Sequence, residues 1–149
     1  MLSYSEQFDS GAWTKVTNGT CTVTANQGTA PDSSNNADLV TINRAATTGY
    51  AVVYQPLTMP AGVFVGSVYI KAYDVGDVGK KVTYWRNSTG GSGGYTEAIL
   101  TAEWQRISIT ATFTAGSGRE GISFGYDANQ GSQTGQVQFL VWGAQLEPG

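Results

Sequence analysis

The chain of 149 residues holds four Trp, eight Tyr and five Phe, and no histidine. Without an imidazole, neither a Ser-His-Asp nor a Cys-His arrangement can be built, and the common zinc sites disappear as well. Glycoside hydrolysis survives that filter, because it needs only two carboxylates at a suitable separation. The acids, however, sit mostly at turns and strand ends, as with Asp32, Asp38, Asp74, Asp77, Glu120 and Asp127. Glu97 and Glu103 flank a short strand and do not obviously converge. Residues 88–94 (STGGSGG) are glycine-rich but lack the Lys-Ser/Thr pair and the strand-to-helix setting of a phosphate loop. No catalytic residue is expected, and the chain reads as a non-enzyme.

The aromatics are the better lead. A sugar ring stacks its C–H surface on an exposed aromatic face while neighbouring amides and charges bond its hydroxyls. A binding face therefore needs outward aromatics beside Asn, Gln, Arg or Asp. Tyr69, Lys71 and Tyr73 meet that description on one strand, and Tyr84, Trp85, Arg86 and Asn87 meet it on the next. Strand alternation lets only one of Tyr84 and Trp85 point outward. Tyr95 follows just past the glycine-rich segment. Packing on a sheet face or at a subunit interface is the commoner use of such residues, and a glycan platform is the alternative. Trp13, Trp104 and Trp142 read as structural. Cys21, in the alternating run 20–24, reads as a small core residue, since no basic partner lies nearby in sequence.

The elements that must position these side chains are strands. Apolar residues recur with a period of two almost throughout. The clearest run is 105–113, with Gln105, Ile107, Ile109, Ala111 and Phe113 on one face and Arg106, Ser108, Thr110 and Thr112 on the other. Residues 64–73 set Phe64, Val68, Ile70 and Ala72 against Tyr69, Lys71 and Tyr73. Further strands are expected at 20–25, 37–43, 50–58, 79–87, 95–101, 121–127 and 136–147, about nine in all, spaced as in all-β sandwiches. Phe139-Leu140-Val141-Trp142 is apolar on both faces, so that strand is either central and covered twice or bulged. Val63-Phe64-Val65 is similarly ambiguous. One helical turn is expected around 5–9. Turn chemistry marks 30–32, 59–62, 77–79 and 115–118, and 88–94 reads as a mobile loop inside one domain spanning 1–149.

Composition narrows the partners. Only 13% of residues are charged and the net charge is −3, with Lys80-Lys81 the one adjacent basic pair. Nothing resembles the basic stripe that neutralises phosphates, so nucleic acid is not an expected partner. No run has the length of a transmembrane helix, so no membrane partner is expected either. The opening residues MLSYSEQFD lack the basic and apolar regions of a signal peptide. The expectation is a protein made in the cytoplasm, or a piece of a longer one. A lone cysteine excludes an internal disulfide framework. The sequons at 18–20 and 87–89 carry no weight without a secretory signal.

Both ends of the chain carry a further signal. YSEQFDSGAW at 4–13 places Phe8, Asp9 and Trp13 in a short irregular stretch, and FLVWGAQLEPG closes the chain at 139–149. With the central segment 67–72, Trp104 and the hexapeptide WGAQLE at 142–147, the chain resembles a domain family of bacteriophage tail-fibre and head-surface proteins. That family is similar in turn to the jelly-roll carbohydrate-binding modules of the galactose-binding-like class. The resemblance implies an all-β, two-sheet antiparallel jelly-roll sandwich with the termini near each other. It implies a non-enzymatic module on the virion surface, as a head decoration protein or tail-fibre domain, with weak adhesion to host glycans. Other virion proteins or copies of itself would be its partners. Two alternatives are a carbohydrate-binding module that targets a larger glycoside hydrolase and a purely structural oligomerisation domain. No cofactor is expected. Related modules often bind a structural calcium through an acid in the last strand, where this chain offers Gln145. Glu6, Asp9 and Glu147 are the carboxylates left for that minor alternative, and calcium needs six to eight oxygens.

Overall fold

In the computed structural model, which describes residues 2, 4–16, 19–44, 51–88, 93–124 and 134–149, the alternation resolves into two facing antiparallel sheets. Among the described residues the strands are β1 (Thr14–Val16), β2 (Gly19–Gly28), β3 (Ala37–Arg44), β4 (Ala51–Met59), β5 (Gly62–Ala72), β6 (Lys81–Ser88), β7 (Gly93–Ile99), β8 (Gln105–Phe113), β9 (Gly116–Phe124) and β10 (Gly135–Pro148). The first sheet runs β1-β4-β9-β6-β7 and the second β2-β3-β10-β5-β8. Apart from the neighbouring pairs β2–β3 and β6–β7, successive strands thus fall in opposite sheets, and the fold is the expected jelly-roll sandwich, with ten strands rather than nine. The additional strand is β1, whose three residues are too few to show an alternation; it is held by pairing Thr14 with Tyr54 and Val16 with Val52.

One face of each sheet supplies the core. Val53, Met59, Val82, Tyr84 and Ile122 from the first sheet meet Val40, Ile42, Val68, Ile70, Ile109, Phe113, Val137 and Phe139 from the second. The face assignment of β8 follows the sequence, with Ile109, Ala111 and Phe113 buried and Arg106, Ser108, Thr110 and Thr112 exposed. Cys21 packs against the same core, and burial pushes its thiol up to about 11, which keeps it protonated. Phe8 and Trp13 close the end of the sandwich with ring centroids 4.3 Å apart. Trp13 Nε1 donates to the Tyr4 carbonyl at 3.0 Å.

Three local expectations change. The stretch around 5–9 forms no helix. It makes successive tight turns, in which Gln7 N donates to Tyr4 O, Ser10 N to Gln7 O and Trp13 N to Ser10 O, each at 3.1 Å. A 3₁₀ turn appears at Val75–Asp77, capped by Asp74, whose carboxylate accepts from Gly76 N at 2.7 Å. Strand β9 begins at Gly116, so most of the turn placed at 115–118 is strand. The tip of the glycine-rich segment, both sequons in part, and Asp127 lie outside the described residues.

The doubly apolar run in β10 is both central and bulged. Phe139 and Val141 face the core, and then the pairing with β5 shifts between Trp142 and Gln145. Gly143, at φ 61°, supplies the left-handed residue that such a bulge needs. The shift reverses the phase, so Ala144 and Leu146 face inward after it. Leu140 and Trp142 on the other face are covered by a second, smaller cluster with Ala30, Ala37, Leu39 and Trp104.

Candidate functional site

The eight residues singled out for chemistry do not form one surface. Trp85, Asn87 and Tyr95 lie on the outer face of the first sheet, while Tyr69 and Lys71 lie on the outer face of the second, with exposed Tyr73 just past its strand. Tyr84 and Arg86 are inside the sandwich at 2% exposure each, and so leave the candidate surface. The alternation of β6 decides this split. Val82 and Tyr84 face the core, which turns Trp85 and Asn87 outward and carries Arg86 inward.

The first sheet's outer face carries an ordered row. The strand registers align Thr14 with Tyr54, Tyr54 with Gly121, Gly121 with Trp85 and Trp85 with Tyr95. Across the glycine the Tyr54 and Trp85 rings approach to 6.1 Å between centroids, tilted by 47°. A Cβ at Gly121 would meet Tyr54 Cβ at 2.6 Å and clash with the Val53 carbonyl. The gap in the row is therefore what lets these rings come together. Tyr95 is 54% exposed at the end of the row. The adjacent row aligns Pro56, Arg119, Asn87 and Gly93. The Arg119 guanidinium lies 5.2 Å from the Tyr54 ring centroid, a cation–π contact. Arg119 and Asn87 also line a shallow pocket of about 250 Å³ with Ser88, Ser117 and Gly118. On the opposite flank Lys81 and Glu97 pair at 3.3 Å.

Tyr54, Arg119 and Gly121 belong to this surface and escaped the sequence reading. Tyr54 follows the apolar run Ala51-Val52-Val53, which hides its face, and Arg119 fell between the turn read at 115–118 and the strand read at 121–127.

On the second sheet's outer face, Tyr69, Arg106, Trp104 and Trp142 are engaged by the protein itself, while Tyr73 stays exposed. Tyr69 packs on Trp142 at 5.6 Å and under the Arg106 guanidinium at 5.8 Å. Arg106 donates to Ser67 Oγ at 2.8 Å and to Gln145 Oε1 at 2.8 Å. Trp142 Nε1 donates to Asn36 Oδ1 at 2.9 Å, and Trp104 Nε1 to the Thr29 carbonyl at 3.1 Å. These bonds pin the segment before β3 across the sheet, consistent with structural roles for both tryptophans.

Inside the sandwich, Arg86, Glu120 and Tyr84 form a buried polar cluster. Arg86 Nε lies 3.2 Å from Glu120 Oε2, and Arg86 Nη1 donates to the Phe64 carbonyl at 3.0 Å. The Tyr84 hydroxyl donates to Glu120 Oε1. Burial raises the Glu120 carboxyl to about 7, opposed by the Tyr84 hydrogen bond and the Arg86 charge. Burial and the neighbouring carboxylate also hold Tyr84 far above the usual phenol range, so it stays a donor. Gly66 makes room for this cluster, since a Cβ there would sit 2.7 Å from Tyr84 Oη. One carboxylate, tied to an arginine inside the core, offers no acid–base pair to a substrate.

The three carboxylates named for calcium do not converge on one site. Glu6 and Asp9 line a cleft with Asp38 and Asn36, while Glu147 borders a separate groove with Leu2 and Ser5. Asp38 is buried and accepts from Phe8 N at 2.7 Å and from Asn26 N at 3.0 Å, so its oxygens hold the opening segment to the sheet. Among the described residues no three acids or cysteines converge as a metal site. The set Glu6, Asp9 and Glu147 does not fit the ion.

No family model matches the sequence, and no curated protein matches it. Solved structures do. A module of the CBM61 type, solved in complex with β-1,4-galactotriose, superposes with a TM-score of 0.65 at 15% identity, over 97% of this chain and 93% of that one. The CBM22-1 xylan-binding domain of Paenibacillus barcinonensis Xyn10C superposes with a TM-score of 0.62 at 15% identity, over 95% and 90%. The enzymatically active domain of tailspike protein 4 of bacteriophage CBA120 superposes with a TM-score of 0.65 at 13% identity. There the match takes in 97% of this chain and 20% of the tailspike chain, so this chain spans about a fifth of that protein and nearly all of the modules. At these identities the likeness is one of architecture, and the chain has the jelly-roll fold of the carbohydrate-binding modules.

Proposed function

We propose that this protein is a non-enzymatic carbohydrate-binding module that lays a glycan across the outer face of its first sheet. The observation that carries this reading is the single row Tyr54–Gly121–Trp85–Tyr95, flanked by the amide of Asn87 and the guanidinium of Arg119. Aromatic faces at the surface beside donors are what a sugar needs, its apolar C–H face stacking while its hydroxyls are bonded. On the opposite sheet Tyr69, Trp104 and Trp142 are tied to one another or to an overlying segment. The likeness to modules solved with or named for polysaccharides supports the same reading.

The module works at the surface of a virion, as a head decoration or tail-fibre domain, where it holds host glycans to the particle. The likeness to a tailspike domain supports that placement. The alternative, a targeting module of a glycoside hydrolase, is supported by the likeness to the xylan-binding domain.

Affinity electrophoresis against soluble galactan, xylan and acidic polysaccharides tests the binding. A retarding polysaccharide is expected, with Trp85→Ala weakening its binding about tenfold or more, as loss of a central aromatic anchor does. Tyr69→Ala should leave the retardation unchanged. A panel that leaves mobility unaltered, or retardation lost with Tyr69→Ala and kept with Trp85→Ala, would overturn the proposal.

A further inference from the structure

Resting on that platform, we infer that its ligand is an acidic glycan, a polyuronate whose carboxylate is taken by Arg119. The charges on the first sheet's outer face, among the described residues, are Arg119, Lys81 and Glu97. Lys81 and Glu97 are paired with each other at 3.3 Å and cancel. Arg119 is in no ion pair among the described residues, which leaves one positive charge on this face of a protein whose net charge is −3.

Its position gives that charge a purpose. Arg119 is exposed, and its guanidinium is held over the Tyr54 ring, so the planar fork is oriented at the edge of the aromatic row. The other surface arginine described, Arg106, has its donors engaged by Ser67 and Gln145 on the opposite sheet. Beside Arg119 lies the pocket of about 250 Å³, at whose wall the exposed amide of Asn87 is suited to a neighbouring hydroxyl. A sugar ring stacked on Trp85 would place a substituent of the same or the next residue at this pocket, because Asn87 is two positions along β6. A planar fork matches a carboxylate with two parallel hydrogen bonds, a geometry a neutral hydroxymethyl group cannot satisfy.

The test compares polygalacturonate and alginate with their methyl esters, which keep the sugar backbone and remove the charge. In affinity electrophoresis at pH 7, wild type should bind at least one free-acid polymer about tenfold more tightly than its ester, the scale of a hydrogen bond to a charged group. Arg119→Gln should bring acid and ester to equal, weak retardation, and Trp85→Ala should abolish both. Equal binding of acid and ester in wild type, unchanged in Arg119→Gln, overturns the inference and leaves the platform standing if Trp85→Ala still abolishes it. No retardation by either polyuronate also overturns the inference. Galactan and xylan, read with Trp85→Ala in the same gels, then decide the platform separately. Polyuronate binding insensitive to Trp85→Ala would mean adsorption elsewhere and overturns the inference too.

Discussion

Arg86 and Glu120 are neighbours across β6 and β9, and both side chains point into the sandwich. Removing one partner of such a pair leaves an uncompensated charge in the core, which typically destabilises a protein by about 3–5 kcal/mol. The pair also makes stability depend on pH. An ordinary glutamate titrates near 4.5, and burial lifts Glu120 to about 7, so the folded chain holds this proton more tightly than the unfolded chain. The associated stability is fully present below about pH 4.5 and is lost as pH rises towards 7. Urea unfolding of wild type and Glu120→Gln measures this. The wild-type midpoint should fall relative to the variant's between pH 4.5 and 7, and a constant difference would contradict the assignment. The cluster was not legible in the sequence. Charged side chains are rarely fully buried, so Arg86, beside two aromatics and an asparagine, reads naturally as surface. Only the register that sets it against Glu120 reveals the pair. Trp85 was legible as one of two alternatives, because alternation permits Trp85 or Tyr84 outward but does not choose.

At the scale of elements, alternation decided most of what could be decided. Strand β8 has the faces its sequence implies, and β5 likewise buries Phe64, Val68, Ile70 and Ala72. Where both faces are apolar, as in β10, the pattern carries no phase, and the structure resolves it with a bulge at Gly143 and a second cluster over Leu140 and Trp142. Gly143→Ala should destabilise by about 1–2 kcal/mol, the usual penalty for a left-handed L-residue. Thermal or urea unfolding checks it, and an unchanged midpoint would mean that the bulge does not depend on glycine at this position. The effect should be on stability more than on the platform, since Gly143 belongs to the second sheet and a Cβ there would meet Tyr69 at 3.7 Å. Strand β1 and the start of β9 were illegible for a simpler reason. Three residues cannot display a period of two, and Gly116-Ser117-Gly118 carries turn chemistry although it pairs with β4 as strand.

For the whole molecule, the two outer faces differ in what they leave available. The second sheet is covered in part by Trp104, Trp142 and the segment before β3. The first sheet presents Tyr54, Trp85 and Tyr95 in one row with a positive charge at its edge. The sequence placed Tyr69, Lys71 and Tyr73 together with Trp85, Asn87 and Tyr95, since strands near in sequence look near in space. The jelly roll sends β5 and β6 to opposite sheets, and that topology is what divides the set. The four tryptophans therefore report on the account directly: Trp85 on the platform, Trp142 and Trp104 on the opposite face, and Trp13 at the closed end. Their indole N–H resonances can be followed by heteronuclear NMR while β-1,4-galactotriose or trigalacturonate is titrated in. The Trp85 resonance should shift with saturation while those of Trp13, Trp104 and Trp142 stay in place. A stationary Trp85, or a shift confined to Trp104 and Trp142, would contradict the claim that the first sheet is the glycan-binding face.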